Sequence, residues 1–281
     1  MKLSIITINY NNRDGLRKTL ESVARQTFRD FEHIVIDGGS TDGSVEVIDQ
    51  YSAIIAYWVS EPDKGIYNAM NKGVAAAHGE YTLFLNSGDY LCNENVLQDV
   101  FKLDFNEDIV CGNIITAAGG NSFAPEYVTM LTMLTGTLLH PASFIRRKLF
   151  DNYKYDERYQ IAGDWDFFTY QLIKENVSYR PIDVFVTIFD ITGISSKGSN
   201  ANDGKLSEQM NESLLLPRVQ QDYNIFMGKT DDYYKLFFTI SQSKKRKFVY
   251  TLVVALLKLI TFNRGWIKNY PLTPKKTLNT K

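Results

Sequence analysis

The feature that most constrains this chain is a repeated alternation of short β-branched runs and helix-patterned segments over its first ninety or so residues. Leu3 to Asn9 is a short apolar, β-branched run and reads as a buried strand. Leu16, Leu20 and Val23 then recur at helical spacing and predict a helix from about Arg13 to Arg25. The pattern continues with a strand at Glu32 to Ile36, a short helix over Val45 to Tyr51 and a strand at Ile54 to Val59. A helix marked by Ile66, Met70, Val74 and Ala77 stops at Gly79, a plausible cap, before a strand at Tyr81 to Leu85. Such alternation predicts an α/β fold, a mostly parallel sheet with helices on both faces. Ligands of these sheets bind beyond the carboxyl ends of the strands. Polar clusters fall at those ends here: Asn9 to Asn12, Asp37 to Gly43, Asp63 to Gly65 and Asn86 to Asp89.

Beyond Asp108 the pattern is less regular. Ile109 to Ala117 and Ser143 to Arg146 read as strands. A helix opens at Asp164 and carries Trp165, Phe168 and Leu172. Tyr179 to Phe189 reads as two short strands broken by Pro181, and Asp203 to Tyr223 as a polar helix. Lys244 to Lys247 is a basic cluster ahead of an apolar run, Phe248 to Phe262, with Trp266 beyond. That run is shorter than the roughly 20 residues that span a bilayer. It fits either a helix lying in a membrane interface or one packed on the protein's own core or on a second copy of the chain. The expected organisation is a catalytic domain over 1–200, with halves 1–110 and 111–200, and a helical C-terminal extension over 201–281.

Composition excludes several classes. Lys plus Arg is 31 and Asp plus Glu is 32, so the formal net charge is −1. No basic field exists to hold nucleic acid. Two cysteines, Cys92 and Cys111, and three histidines support neither a disulfide framework nor a Cys/His zinc site. No secretory signal is visible, and the expected location is cytoplasmic, with the possible addition of a peripheral contact on the inner face of the plasma membrane.

Three stretches carry candidate chemistry. Asp37 to Gly43 is either a glycine-rich turn between strand and helix or a nucleotide-binding loop whose carboxylate accepts hydrogen bonds. Asp89, at the end of a strand, is either a turn residue or a ligand for Mg²⁺ or Mn²⁺, hard cations that fill their sphere with diphosphate oxygens and water. Asp164 and Asp166 open a helix, where acidic residues complement the dipole. For Asp164 the alternative is a general base that takes a proton from an attacking hydroxyl. His140 lies between the acidic motifs and is a secondary candidate, though a lone histidine is more often structural. His33 and His78 read as structural or surface residues.

Together these stretches resemble the family-two glycosyltransferases, inverting enzymes with the Rossmann-like GT-A fold. The resemblance runs from Ile5 to about Lys174. It rests on Ser4 to Asn12, Val35 to Ser44, Asp63 to Gly73, Gly79 to Asp89 and Ala162 to Phe167, five pieces in order. The third piece is similar to a subgroup that builds bacterial surface polysaccharides such as O-antigen. The resemblance implies that Thr7 and Asn9 line a nucleotide pocket and that Asp37 holds the base, typically uracil. Asp63 and Lys64 would lie near the base or the donor phosphates. Asp89 matches the last Asp of an Asp-x-Asp metal motif, Asp164 matches the catalytic base, and His140 stands ahead of the acceptor-side strand. Asn86 and Gly88 stand where the family often has acidic residues, so the metal site carries less charge. The implied reaction transfers a hexosyl unit from a UDP-sugar to a saccharide or lipid-linked saccharide. The competing expectations are a sugar-phosphate nucleotidyltransferase, whose Gly-rich amino-terminal signature is missing here, and a nucleotide-sugar-binding protein without catalysis.

Overall fold

The computed structural model describes residues 1–193, 200–216, 218–222 and 251–252. Residues 1–228 form one compact unit and 229–281 a second. In the second unit only Thr251 and Leu252 are described. They are helical and exposed, and the rest of the expected interfacial helix, with its basic flank and Trp266, lies outside the described residues.

The first unit begins as the alternation predicts. Strand β1 (Leu3–Asn9) leads into helix α1 (Arg13–Ala24), then β2 (Phe31–Asp37) and α2 (Ser44–Gln50). Next come β3 (Tyr57–Ser60), α3 (Ile66–Ala76) and β4 (Tyr81–Phe84). The expected strand from Ile54 is corrected. Ser52–Ile54 is a 3-10 turn, and the strand forms only where Tyr57 to Ser60 pair with Ile34 to Asp37 of β2. These four strands lie in the order β3-β2-β1-β4, all parallel.

The second half adds β5 (Tyr90–Leu91), α4 (Val96–Phe101), β6 (Ile109–Thr116), β7 (Asn121–Ser122) and α5 (Met130–Thr135). Then follow β8 (Ser143–Arg146), α6 (Leu149–Asn152), α7 (Gly163–Thr169), β9 (Tyr179–Phe189) and α8 (Ala201–Leu214). The sheet continues β4-β8-β6-β9-β5, with β7 beside β6. Strand β8 enters antiparallel to both neighbours, while β6 and β9 are parallel. Strand β9 is one strand, not two. Pro181 stands opposite Cys111, where the ladder shifts register, so the irregularity absorbs the missing N–H. Helix α8 starts at Ala201, ahead of Asp203, and ends at Leu214; residues 218–222 are helical again, so the expected helix is interrupted at 215–216.

Alternation along each strand builds a core on each face of the sheet. Ile6 of β1 and Ile34 and Ile36 of β2 pack with Met70 and Val74 of α3 and with Phe167 and Phe168 of α7. Leu3 and Ile5 face the opposite way, against Val23 of α1 and Leu97 and Val100 of α4. Helix α3 approaches β1 closely at Gly73, where a Cβ would lie 2.4 Å from the Ile6 methyl. Any larger residue there would force helix and sheet apart. Of the cysteines, Cys111 is buried and Cys92 half-buried, and both are free thiols. Among the described residues no helix is long and apolar enough to cross a membrane.

Candidate active site

The carboxyl ends of β1 and β2 are tied together by one carboxylate. Asp37 is fully buried. It accepts hydrogen bonds from Asn9 Nδ2 (2.7 Å), the Ser40 amide (2.8 Å), Ser40 Oγ (2.6 Å) and Ser60 Oγ (2.6 Å). Burial pushes its pKa up, but the bonds from Ser40, Ser60 and Asn9 more than offset this and hold it below the ordinary value. The loops above are knitted in the same way. Asn11, at φ 47°, receives the Thr41 amide, and Asp42 receives the Arg13 and Ser44 amides. Asn12 caps α1 and donates to the Ser87 carbonyl, joining the β1 loop to the β4 loop. Asp63 lies over the backbone of Gly38, where a Cβ would sit 2.6 Å from its carboxylate, with the exposed Tyr10 ring beside it.

The end of β4 presents a different arrangement. Asp89 is buried, and its Oδ1 accepts the Asp190 amide at 2.8 Å. Burial raises its pKa to about 7; the Asp190 amide opposes the rise and the nearby Asp190 carboxylate adds to it. Gly88, at φ 107°, lets the chain turn under Asp190, whose Oδ2 lies 2.6 Å from where a Cβ would be. Asn86 Oδ1 is buried without a hydrogen-bond partner. Asn86, Asp89 and Asp190 all line one cleft, and the Asp190 carboxylate accepts the Thr192 amide and hydroxyl.

Asp164 lies in the first turn of α7 and is half-buried. Its Oδ1 is 3.4 Å from the Tyr67 hydroxyl, which also donates to the Ile161 carbonyl. Burial raises the Asp164 pKa to about 6, against pulls from the Trp165 amide and Tyr67. The ionisable groups that face it are the phenols of Tyr67 and Tyr155, both pushed above their usual values. His140 Nε2 is 2.8 Å from the Tyr155 hydroxyl, and its ring stacks on Phe84. Burial lowers its pKa to about 3, so the imidazole is neutral. Asp166, two residues on, turns away and receives the Tyr153 and Tyr159 hydroxyls at 2.9 and 3.0 Å.

A cleft of about 750 Å³ runs along these strand ends. It brings together Asn9, Asp63, Asn86, Asp89, His140 and Asp164. Thr7, Asp37, Lys64 and Asp166 are not on its wall. Thr7 is fully buried and bonds to His33 Nε2 at 2.9 Å, which places it under the pocket rather than in it. Lys64 is exposed at the turn before α3. His33 is buried and neutral, whereas His78 is on the surface beside Glu32. The sequence reading passed over Tyr10, Tyr67 and Asp190, all on the cleft wall. Asp190 follows β9 directly, so the rule that polar residues at strand ends mark a site would have found it.

Comparison with known proteins identifies the family of the chain. The family model described as "Glycosyl transferase family 2" matches residues 4–170. A Mycobacterium tuberculosis (strain CDC 1551) protein named "Uncharacterized glycosyltransferase MT1564" is 34% identical over 211 residues, 69% of this chain and 77% of that protein. A Mycobacterium bovis BCG protein named "PGL/p-HBAD biosynthesis glycosyltransferase" is 32% identical over 171 residues, 58% of this chain and 67% of that protein. Among solved structures, S. aureus TarS 1-349 in complex with UDP-GlcNAc superposes with TM-score 0.58 at 23% identity, covering 68% of this chain and 58% of that chain. Against a longer TarS chain the match spans 37% of its length. A mannosyltransferase from Pyrobaculum calidifontis, in complex with GDP-Man and Mn²⁺, has TM-score 0.51 at 16% identity, over 66% of this chain and 56% of that one. With the family model matched over more than half of the 281 residues, the chain belongs to glycosyltransferase family 2 and is a glycosyltransferase of the GT-A fold.

Proposed function

We propose that this enzyme transfers a hexosyl unit from a UDP-sugar to a hydroxyl of a lipid-linked saccharide or glycolipid, with inversion at the anomeric carbon. The observation that carries the reading is one cleft that brings a carboxylate with a raised pKa, Asp164, together with Asp89, Asp190 and Asn86. The UDP part draws on the likeness to a TarS fragment in complex with UDP-GlcNAc, and the acceptor class on relatives named for PGL/p-HBAD biosynthesis.

In this reading Asn9 and Asp63 border the nucleoside, and the Asp37 knot fixes the loops that carry them. Tyr10, exposed beside Gly38, offers a flat face to a base. Asp164 accepts the proton of the acceptor hydroxyl as its oxygen bonds to the anomeric carbon, and the bond from that carbon to the diphosphate oxygen breaks on the opposite face. One base suffices, because the leaving group needs charge compensation rather than a proton. The oxygen-only donor set of Asp89, Asp190 and Asn86 suits a hard divalent cation, Mn²⁺ or Mg²⁺, whose chemistry there would be to offset the negative charge that grows on the departing diphosphate. The unpartnered Asn86 oxygen and the raised pKa of Asp89 fit that use, since both leave valence unfilled by the protein.

The test is calorimetric titration with UDP, GDP and dTDP, each with and without Mn²⁺, followed by incubation of a radiolabelled UDP-hexose panel with bacterial lipid extract. UDP binding that Mn²⁺ strengthens, with the strengthening lost in Asp89→Ala, and label passing into the organic phase, are the expected results. Absence of binding to all three nucleotides would refute the donor, and label confined to free sugar would refute the acceptor class.

A further inference from the structure

Helix α8 begins beyond the residues that the family model matches, yet its first turn is bonded to the segment that leads into the proposed base. Asp203 is the only fully buried residue of that helix. Its carboxylate accepts three consecutive backbone amides of another segment: Gln160 (2.9 Å), Ile161 (2.7 Å) and Ala162 (3.0 Å). An acidic residue in a first turn ordinarily serves its own helix dipole. Here the helix's own end is already capped by Asn200, whose Oδ1 accepts the Asn202 and Asp203 amides. The Asp203 charge is therefore directed at the 160–162 loop. Asn202 and Asn200 hold the same loop from outside, through the Arg158 carbonyl (3.0 Å) and Gln160 Oε1 (2.9 Å).

The held loop touches the chemistry at one atom. The Ile161 carbonyl accepts the Tyr67 hydroxyl, which also reaches Asp164 Oδ1. The Tyr67 ring is trapped against Gly163, where a Cβ would fall 2.7 Å from it. The hydroxyl thus has two oxygens to choose between, and the position of the Ile161 carbonyl sets how it is shared.

We infer that Asp203 is a positioning residue for Asp164, acting through the backbone of Ile161 and the hydroxyl of Tyr67. The inference rests on the transferase reading for its meaning but not for its test. With Asn at position 203, an amide N–H₂ is turned toward at least one of the three backbone donors, and the loop must move to relieve it. The Ile161 carbonyl moves with it, and the sharing of the Tyr67 hydroxyl between that carbonyl and Asp164 changes. Displacements of this kind away from the reacting atoms cost up to about 100-fold in rate.

The experiment follows the Asp164 carboxyl carbon by ¹³C NMR during a pH titration of the full chain. Wild type, Asp203→Asn, Tyr67→Phe and the double variant are compared, with UDP release from UDP-hexoses measured alongside. Asp203→Asn is expected to shift the Asp164 midpoint and to slow release about 10–100-fold. Tyr67→Phe is expected to raise the midpoint, and the double variant to match Tyr67→Phe alone. A folded Asp203→Asn protein with the wild-type midpoint would overturn the inference, as would independent, additive shifts. Should Asp203→Asn not fold, Asp203→Glu, which keeps the charge and lengthens the reach, is expected to shift the midpoint in the same direction. If wild type releases no UDP from any UDP-hexose, the proposed donor fails, while the titration still decides the coupling.

Discussion

The two ends of the cleft use buried aspartates in opposite ways. At the β2 end Asp37 has four donors on its two oxygens and a pKa held below the ordinary value. At the β4 and α7 end Asp89 and Asp164 have few protein donors, and their pKa values rise to about 7 and about 6. A carboxylate saturated by the protein is a structural tie. One that is buried and left under-bonded costs stability and keeps its valence for something the protein does not supply. The contrast divides the site into a saturated frame and an under-bonded end.

The sharpest way to break this division is at Asp164. Asp164→Asn should lower sugar transfer by about 10²–10⁴-fold while leaving UDP affinity close to that of wild type, because the nucleotide end is untouched. The wild-type rate should fall as pH drops through about 6, where Asp164 takes up its proton. Steady-state kinetics across pH 5 to 8 check both, and near-wild-type turnover in the variant would remove Asp164 from the chemistry.

Asp37 should respond in stability instead. Asp37→Ala leaves the Asn9 amide, the Ser40 amide and the Ser60 hydroxyl without their acceptor, at a cost of about 2–4 kcal/mol. Its lowered pKa contributes stability above the unfolded value, and that contribution is lost as pH falls through the folded one. Urea melts at pH 7 and pH 3 should therefore show a larger gap between variant and wild type at the first than at the second. An equal gap at both would mean that Asp37 is not the charged tie described.

How much of this was legible in the sequence follows the same division. The frame was readable because it depends on local pattern. The β-branched runs, helical spacing and polar strand ends set β1 to β4 and pointed to Asn9, Asp37, Asp63 and Asp89. The finer features depend on partners far away in the chain. Thr7 reads as a pocket residue by motif, yet it lies two residues back from the strand end on the same face as Asn9, buried beneath it and bonded to His33. Asp164 and Asp166 share one turn, and only the placement of Tyr67 on one side and of Tyr153 and Tyr159 on the other separates them. Asp190 and Asp203 act on residues 101 and 41 to 43 positions away. No spacing rule within a motif reaches that far.

The remaining comparison is between Asp89 and Asp37 as contributors to stability, where the signs should be opposite. Asp89 has a folded pKa near 7, above its unfolded value of about 3.9. Such a group favours the fold most at pH below the unfolded value, and the contribution is lost as pH rises through the folded one. Metal-free wild type should thus lose stability from Asp89 between about pH 4 and 7, mostly above the range in which the Asp37 contribution changes. Asp89→Asn has no proton to lose, so it should be more stable relative to wild type at pH 8 than at pH 5, by about 2 kcal/mol. Thermal melts in EDTA at the two pH values measure this. Mn²⁺ with UDP should close the gap from the wild-type side, because a cation held by Asp89 replaces the missing proton. A gap independent of pH would mean that Asp89 is ionised throughout, and the distinction between a filled and an unfilled carboxylate would then have to rest on Asp164 alone.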